Sequence, residues 1–273
     1  MNTWYGKLPE PTVKKFTFLE WLRICLRAFF IILFICVNLI IFVLLRFVEK
    51  YLSNLKLSYK IVKLVSRTTL RTLKIKLIVH GMPMIENGCV VANHVSWLDI
   101  FSLSSVQNIV FVSKSDVSTW FGIGALARIV GVLFISRKRN QVITNNLNFE
   151  KRLNKGEKLL FFPEGTSSDG LQVLPFKSSL FEALMNNKKI SNLHVQGVSI
   201  VYTAPDLEDK RFYGWWGKME FLDHLLAILS TNKKGKIELF FHSPHLVSSF
   251  NNRKMLANTL YLDVSSVFRS RDH

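Results

Sequence analysis

Two short stretches of this 273-residue chain carry side chains able to move a proton. The first is Asn93-His94-Val95-Ser96-Trp97-Leu98-Asp99, directly after the apolar run 89–92. On one regular helix, residues five apart are rotated by about 140°, so His94 and Asp99 would not face each other. With His94 in a strand-to-helix turn and Asp99 in the first helical turn, contact is feasible. Asp99 then accepts a hydrogen bond from one imidazole nitrogen and fixes the tautomer, leaving the other free to take a proton from a hydroxyl. A structural reading competes, because Ser96-x-x-Asp99 is also a capping box. The second stretch is Phe161-Phe162-Pro163-Glu164-Gly165-Thr166-Ser167-Ser168-Asp169-Gly170. Pro163 ends a strand, and Gly165 permits a tight turn with exposed amides. Glu164 is then a carboxylate at a strand end, able to bond the hydroxyls of an acceptor. The competing reading is an ordinary polar turn.

Both stretches need a scaffold that ends strands side by side. From about residue 74 the pattern alternates short apolar runs with helical stretches. The runs predict strands over 74–80, 89–92, 109–113, 132–136, 158–162, 195–202 and 236–242. Helices are predicted near 98–105, 119–130, 141–155, 177–187, 220–229 and 253–268, with Gly88 and Gly156 as punctuation. Strands alternating with helices predict an α/β fold, a mostly parallel sheet covered by helices on both faces. Ligands in such sheets sit beyond the carboxyl ends of the strands, where both stretches fall.

Ahead of this region, residues 28–45 are apolar except for Asn38. As a helix they span roughly 27 Å, close to the thickness of membrane hydrocarbon. The run starts late and lacks a small-residue cleavage site, so it does not read as a secretory signal. From Arg46 to Lys76 there are nine basic residues and one acid, Glu49. Lys56, Lys60, Lys63, Arg67 and Arg71 share one helical face, which reads as an amphipathic helix against anionic headgroups or as a solvated basic face. Positive charge after the run places the remainder on the cytoplasmic side, at the inner membrane in a bacterium. Lys14, Lys15, Arg23 and Arg27 weaken that argument and also allow a helical hairpin in one leaflet. The expected organisation is a membrane-anchoring part over 1–73 and one α/β domain over 74–273.

Composition narrows the function. With 49% apolar residues the chain is not intrinsically disordered, and a single long apolar run argues against a polytopic membrane protein. Thirty-six Lys and Arg against 19 Asp and Glu give a net charge of +17, so the partner is anionic: nucleic acid, an acidic carrier or a membrane face. No nucleic-acid module accompanies the charge, and its densest part adjoins the apolar run. Cys25, Cys36 and Cys89 cannot all pair, which points to a reducing compartment. Gly122-Ile123-Gly124 loosely matches a dinucleotide fingerprint, but no strand runs directly into it and no acid follows at the required distance. His242-Ser243-Pro244-His245 reads as a loop pair and His224 as helix packing or surface, not metal ligands. Trp215 and Trp216 suit a membrane interface or a core.

The two stretches together, N-H-x-x-x-x-D and F-P-E-G-T, resemble the lysophosphatidic acid acyltransferase (1-acylglycerol-3-phosphate O-acyltransferase) family. Lys114, Gly122-Ile123-Gly124 and Gly131-Val132-Leu133-Phe134-Ile135-Ser136-Arg137 look like that family's second block. The likeness covers about residues 74 to 205. It implies a membrane-bound enzyme moving an acyl chain from a thioester, acyl-CoA or acyl carrier protein, to a lysolipid hydroxyl, with no metal, cofactor or covalent intermediate. His94 would be the general base and Asp99 its orienting partner, with backbone amides stabilising the oxyanion. Glu164, Gly165, Thr166, Arg137, Lys114 and Lys177 would bind substrate, while Asn93 and Ser96 shape the first turn. The family's third block usually continues with arginine after F-P-E-G-T; here Ser167 stands there. Either Arg137, Lys138, Arg139 or Lys177 compensates, or the acceptor carries no phosphate monoester. The resemblance implies 1-acylglycerol-3-phosphate as the first acceptor. The alternative is lyso-ornithine lipid, because F-P-E-G-T-S-S-D-G with Leu174-Pro175-Phe176-Lys177, Tyr213-Gly214-Trp215-Trp216-Gly217 and Phe221-x-x-His224 looks like that bacterial branch. A non-catalytic lipid-binding scaffold is the remaining class.

Overall fold

The computed structural model describes residues 4–6, 9–11, 14–52, 57–120, 122–136, 141–187, 190 and 192–269, with the backbone alone at 142 and 143. Helix α1 (Phe18–Tyr51) is continuous through the apolar run. Its N-terminus is a full capping box, with Thr17 Oγ1 accepting from the Glu20 N–H and the Glu20 carboxylate accepting from the Thr17 N–H. Asn38, the polar residue within the run, turns its amide N–H onto the Phe34 carbonyl at 2.8 Å. α1 is long and apolar enough to cross a membrane, and little of its most apolar stretch is buried in the protein.

Helix α2 (Ser58–Thr72) returns against α1. Glu49, the one acid in the basic stretch, accepts from the Ser58 N–H and hydroxyl, both at 2.7 Å, and so caps α2. Lys60 and Arg71 line the outer face of α2, Arg67 donates its Nε–H to the Ser105 carbonyl at 2.9 Å, and Leu70 and the following Leu73 enter the core. The hairpin is thus made by α2 rather than by a bend within the apolar run.

Beyond α2 come β1 (Ile75–His80), β2 (Gly88–Ala92), α3 (Leu98–Ser104), β3 (Val110–Lys114), α4 (Ile123–Ile129), β4 (Leu133–Ile135), α5 (Val142–Asn154) and β5 (Leu159–Phe161). The chain continues with α6 (Glu182–Met185), β6 (His194–Thr203), α7 (Phe221–Ser230), β7 (Gly235–Phe241), β8 (His245–Leu246) and α8 (Arg253–Arg269). The strands form one sheet in the order β1-β7-β6-β2-β5-β3-β4, with β8 beside β6. Every pairing is parallel except those of β6 with β7 and β8. The carboxyl ends of β2, β3, β4, β5 and β6 therefore lie along one edge. β2 alternates Cys89 and Val91 toward one layer of helices with Val90 and Ala92 toward the other, so the sheet is buried on both faces.

The predicted strands all appear, with no end shifted by more than one residue. Two predicted helices shorten. The 119–130 helix becomes a 3-10 turn (Ser115–Thr119) followed by α4, because Gly122 at φ +69° breaks the run and Gly124 packs directly on the Ser118 carbonyl. The 177–187 helix becomes a 3-10 turn (Ser178–Phe181) and the single turn of α6. β8 is unpredicted; two residues after Pro244 leave no periodicity to read.

Arg23 and Arg27 have a role that charge counting misses. Arg27 donates to the carbonyls of Leu229 (2.9 Å) and Thr231 (2.6 Å), and Arg23 donates to that of Ser230. Both cap the carboxyl end of α7, where a cation meets unpaired carbonyls and the negative end of the helix dipole. They fasten the apolar helix to the sheet domain.

Candidate active site

β2 is wholly apolar and fully buried, so the first polar residues after it emerge at the sheet edge. Asn93 is itself buried. Its amide donates to the Ile200 carbonyl (2.9 Å) and accepts from the Ile200 N–H (2.7 Å), pinning the end of β2 to β6. The chain then turns, and the turn puts His94 above Asp99. His94 Nδ1 lies 2.7 Å from Asp99 Oδ2. The same oxygen accepts from the N–H of Val95 (2.8 Å) and Ser96 (3.1 Å). Ser96 Oγ accepts from the Leu98 N–H at 3.2 Å. The capping interaction and the imidazole contact thus coexist on one carboxylate.

Three N–H groups on a fully buried carboxylate hold it in place. Its other oxygen accepts from the Tyr202 hydroxyl at 2.7 Å. Burial, with Asp99 beside it, pushes the Tyr202 phenol well up from its usual value, so it stays a donor. With Nδ1 committed to Asp99, Nε2 is the imidazole nitrogen left to act, and the His94 side chain keeps 22% of its exposure. The ring lies flat on Phe162, centroids 4.1 Å apart at 12°. Motif reading did not foresee these contacts of Tyr202 and Phe162 with the His94–Asp99 pair. A tyrosine closing a strand at the ligand edge was the available signal for the first.

The second stretch follows β5, adjacent to β2. Gly165 turns at φ +72°, a conformation that suits glycine. Glu164 does not face outward as a free carboxylate. It is 2% exposed, and its oxygens accept from the N–H of His94 (3.3 Å) and Leu174 (3.1 Å). Burial pushes this carboxyl well above the usual carboxylate range, against the pull of those two bonds. Glu164 thus ties the two stretches together. Ser168 donates its N–H to the His94 carbonyl at 2.9 Å and adds a second tie. Thr166 Oγ1 accepts from the Trp4 N–H at 3.4 Å. Ser167 Oγ donates to the Trp215 carbonyl, and Trp215 donates its N–H to the Val95 carbonyl at 3.0 Å. The segment around Trp215 is therefore held by both stretches.

Lys177 donates its N–H to the Pro163 carbonyl at 2.9 Å, and its ammonium stands over the Gly165 turn. Lys114 closes β3 at the same edge, beside β5. Arg137, Lys138 and Arg139 lie outside the described residues. Cys89 is fully buried in β2, and burial pushes its thiol up, which disfavours a nucleophilic thiolate. His224 is buried in α7, where its Nδ1 accepts from the Trp97 indole N–H at 3.0 Å. Burial pulls this imidazole down to about 4. Trp216 is buried against the Arg211 guanidinium, 5.5 Å from the ring centre, whereas Trp215 is partly exposed.

Residues 76–201 match the family model described as Acyltransferase. A lyso-ornithine lipid O-acyltransferase of Rhodobacter capsulatus is 41% identical over 256 residues, covering 93% of this chain and 92% of that one. A 1-acyl-sn-glycerol-3-phosphate acyltransferase of Neisseria gonorrhoeae is 39% identical over 110 residues, 39% of this chain and 43% of that one. The crystal structure of the 1-acyl-sn-glycerophosphate acyltransferase PlsC from Thermotoga maritima superposes with a TM-score of 0.68 at 20% identity, covering 93% of this chain and 98% of that one. The sheet order, the two stretches at its carboxyl edge and these likenesses agree: the chain belongs to the acyltransferase family of the lysophosphatidic acid and lyso-ornithine lipid acyltransferases.

Proposed function

We propose that this protein transfers a fatty acyl chain from an acyl thioester, carried by coenzyme A or acyl carrier protein, to the hydroxyl of a lyso-ornithine lipid. One observation carries the mechanism: His94 Nδ1 is bound to a fully buried carboxylate while the His94 side chain stays 22% exposed, which leaves Nε2 to act. Nε2 takes the acceptor's hydroxyl proton as its oxygen attacks the thioester carbonyl. Asp99 stabilises the imidazolium that forms. The N–H groups of His94, Val95, Ser96, Gly165 and Ser168 are committed to internal acceptors, which leaves those of Trp97, Thr166 and Ser167 as the candidate donors for the tetrahedral oxygen. Collapse breaks the C–S bond, and the departing thiolate recovers the proton from His94. Glu164 acts through its grip on the His94 backbone rather than through the acceptor's hydroxyls.

Ser167 favours an acceptor without a phosphate monoester. Its hydroxyl is spent on the Trp215 carbonyl, and no guanidinium stands at that position. The R. capsulatus relative, similar over nearly the full chain, points the same way. The second reading, 1-acylglycerol-3-phosphate giving phosphatidic acid, is supported by the Lys177 ammonium over the Gly165 turn. In either reading residues 1–73 serve the membrane and residues 74–273 carry the chemistry. The basic outer face of α2 supports a seat on the anionic cytoplasmic leaflet.

The test is acyl transfer by the purified protein in mixed micelles, with the two lysolipids offered separately and products read by mass spectrometry. Acylation of lyso-ornithine lipid in preference to lysophosphatidic acid is expected. The reverse preference would overturn the acceptor assignment, and acylation of neither would favour the lipid-binding scaffold.

A further inference from the structure

Beside the dyad stands a corner of aromatic rings that the mechanism above does not use. Trp120 and Trp215 have ring centroids 6.1 Å apart at 75°, Trp120 and Phe221 6.4 Å at 51°, and Trp215 and Phe221 5.7 Å at 69°. Trp97, three residues after His94, packs edge-on to Phe221 at 6.0 Å. All four rings are partly exposed. Their polar edges are spoken for where hydrogen bonds exist: the Trp215 indole donates to the Met219 carbonyl at 2.8 Å, and the Trp97 indole to His224. Each T-shaped contact lays one ring's edge on another's face, so what the corner has left for a ligand is the π-faces that no neighbour covers.

Two features argue against a corner built only for hydrocarbon. Exposed acids adjoin Phe221 in the chain: Glu220 directly precedes it and Asp223 follows two residues later, against one exposed cation, Lys218, on the same segment. At the base of Trp215 stands a neutral hydroxyl, Ser167, bonded to the Trp215 carbonyl. The adjacent Trp216, by contrast, has its face occupied by the Arg211 guanidinium. Inclined aromatic faces attract a cation through the ring quadrupoles, and acids on the same segment add to the pull. An ornithine headgroup carries a side-chain ammonium.

We propose that Trp120, Trp215 and Phe221 form the specificity pocket that receives the ammonium of the acceptor's headgroup, selecting an aminolipid over a phosphate-bearing lysolipid. The inference rests on the acyltransferase reading above and deepens it. The Trp215 N–H bond to Val95 and the Trp97 contact to Phe221 couple the corner to the turn that carries His94. A seated headgroup would thereby help to register the hydroxyl on Nε2.

The experiment compares kcat/KM of the wild-type protein for lyso-ornithine lipid, for the same lipid with its side-chain amine acetylated, and for the trimethylated form. Acetylation removes the charge; trimethylation adds bulk and keeps it. We expect the acetylated lipid to lose about tenfold, the change given by 1.4 kcal/mol of cation–π attraction, and the trimethylated lipid to stay within about twofold. In Trp120→Leu and Trp215→Leu the ratio between charged and acetylated acceptors falls to near one. Equal rates for all three lipids in the wild type would overturn the pocket and leave the acyltransferase reading standing. So would equal losses on every acceptor in both variants, which would make the rings a packing wall. Acylation of no acceptor at all would overturn both. The wild-type comparison needs no variant to fold.

Discussion

Asp99→Asn separates the charge of the carboxylate from its geometry. Three N–H groups, from His94, Val95 and Ser96, converge on Oδ2, while the Tyr202 hydroxyl meets Oδ1. An asparagine has one acceptor oxygen, and the three donors compel it to take the Oδ2 place. Its NH2 then faces Tyr202, whose oxygen can accept. Turn, tautomer and fold therefore survive, and the loss is the negative charge facing the imidazolium. With contacting atoms at 2.7 Å, the charge centres lie about 4 Å apart, worth about 4 kcal/mol at an effective dielectric constant of 20. That corresponds to a fall in kcat of about 10³-fold. KM for the lysolipid should hold, and the thermal midpoint in detergent should stay within a few degrees. The assay is initial-rate acyl transfer in mixed micelles alongside a melting curve. A kcat within tenfold of wild type, with an unchanged melt, would show that the Asp99 charge does not serve the proton transfer.

Other expectations follow from single groups. His224, pulled down to about 4 by burial, binds fewer protons folded than unfolded between about pH 6.5 and 4, so stability falls as pH drops through that window, by about 3 kcal/mol in all. His224→Gln keeps an acceptor for the Trp97 indole and should abolish that part of the slope; parallel curves for the two proteins would sink the assignment. Glu164→Gln leaves one of two backbone N–H groups facing an amide NH2, so a loss of about 1–3 kcal/mol and a matching fall in melting temperature are expected. Wild-type stability in that variant would mean that the carboxyl does not hold the two stretches together. Arg27→Met removes both bonds to the end of α7, and hydrogen exchange over 221–231 should quicken at least tenfold; unchanged protection would refute the cap.

The sheet was legible because its strands are short apolar runs bounded by glycine and polar turns, and that pattern survives tertiary packing. The His94–Asp99 contact was legible for a different reason: a spacing of five fails on a helix but works across a strand-to-helix turn. Glu164 was harder. A carboxylate beside a glycine turn reads as exposed, and only the assembled fold shows two backbone N–H groups enclosing it. Tyr202 joins Asp99 across 103 residues, and the Trp120–Trp215–Phe221 corner draws on three separate segments. No local periodicity encodes such meetings. Arg23 and Arg27 looked like flanking membrane charges because their partners are carbonyls at the end of a helix some 200 residues away.

The proposed mechanism turns on His94 taking the acceptor's proton. Its most direct test is single-turnover acyl transfer to lyso-ornithine lipid by wild type and His94→Ala, with membrane association of both followed by flotation on anionic vesicles. The variant is expected to float as the wild type does and to form acylated product at least 10³-fold more slowly. A variant that floats normally and acylates at near the wild-type rate would contradict it.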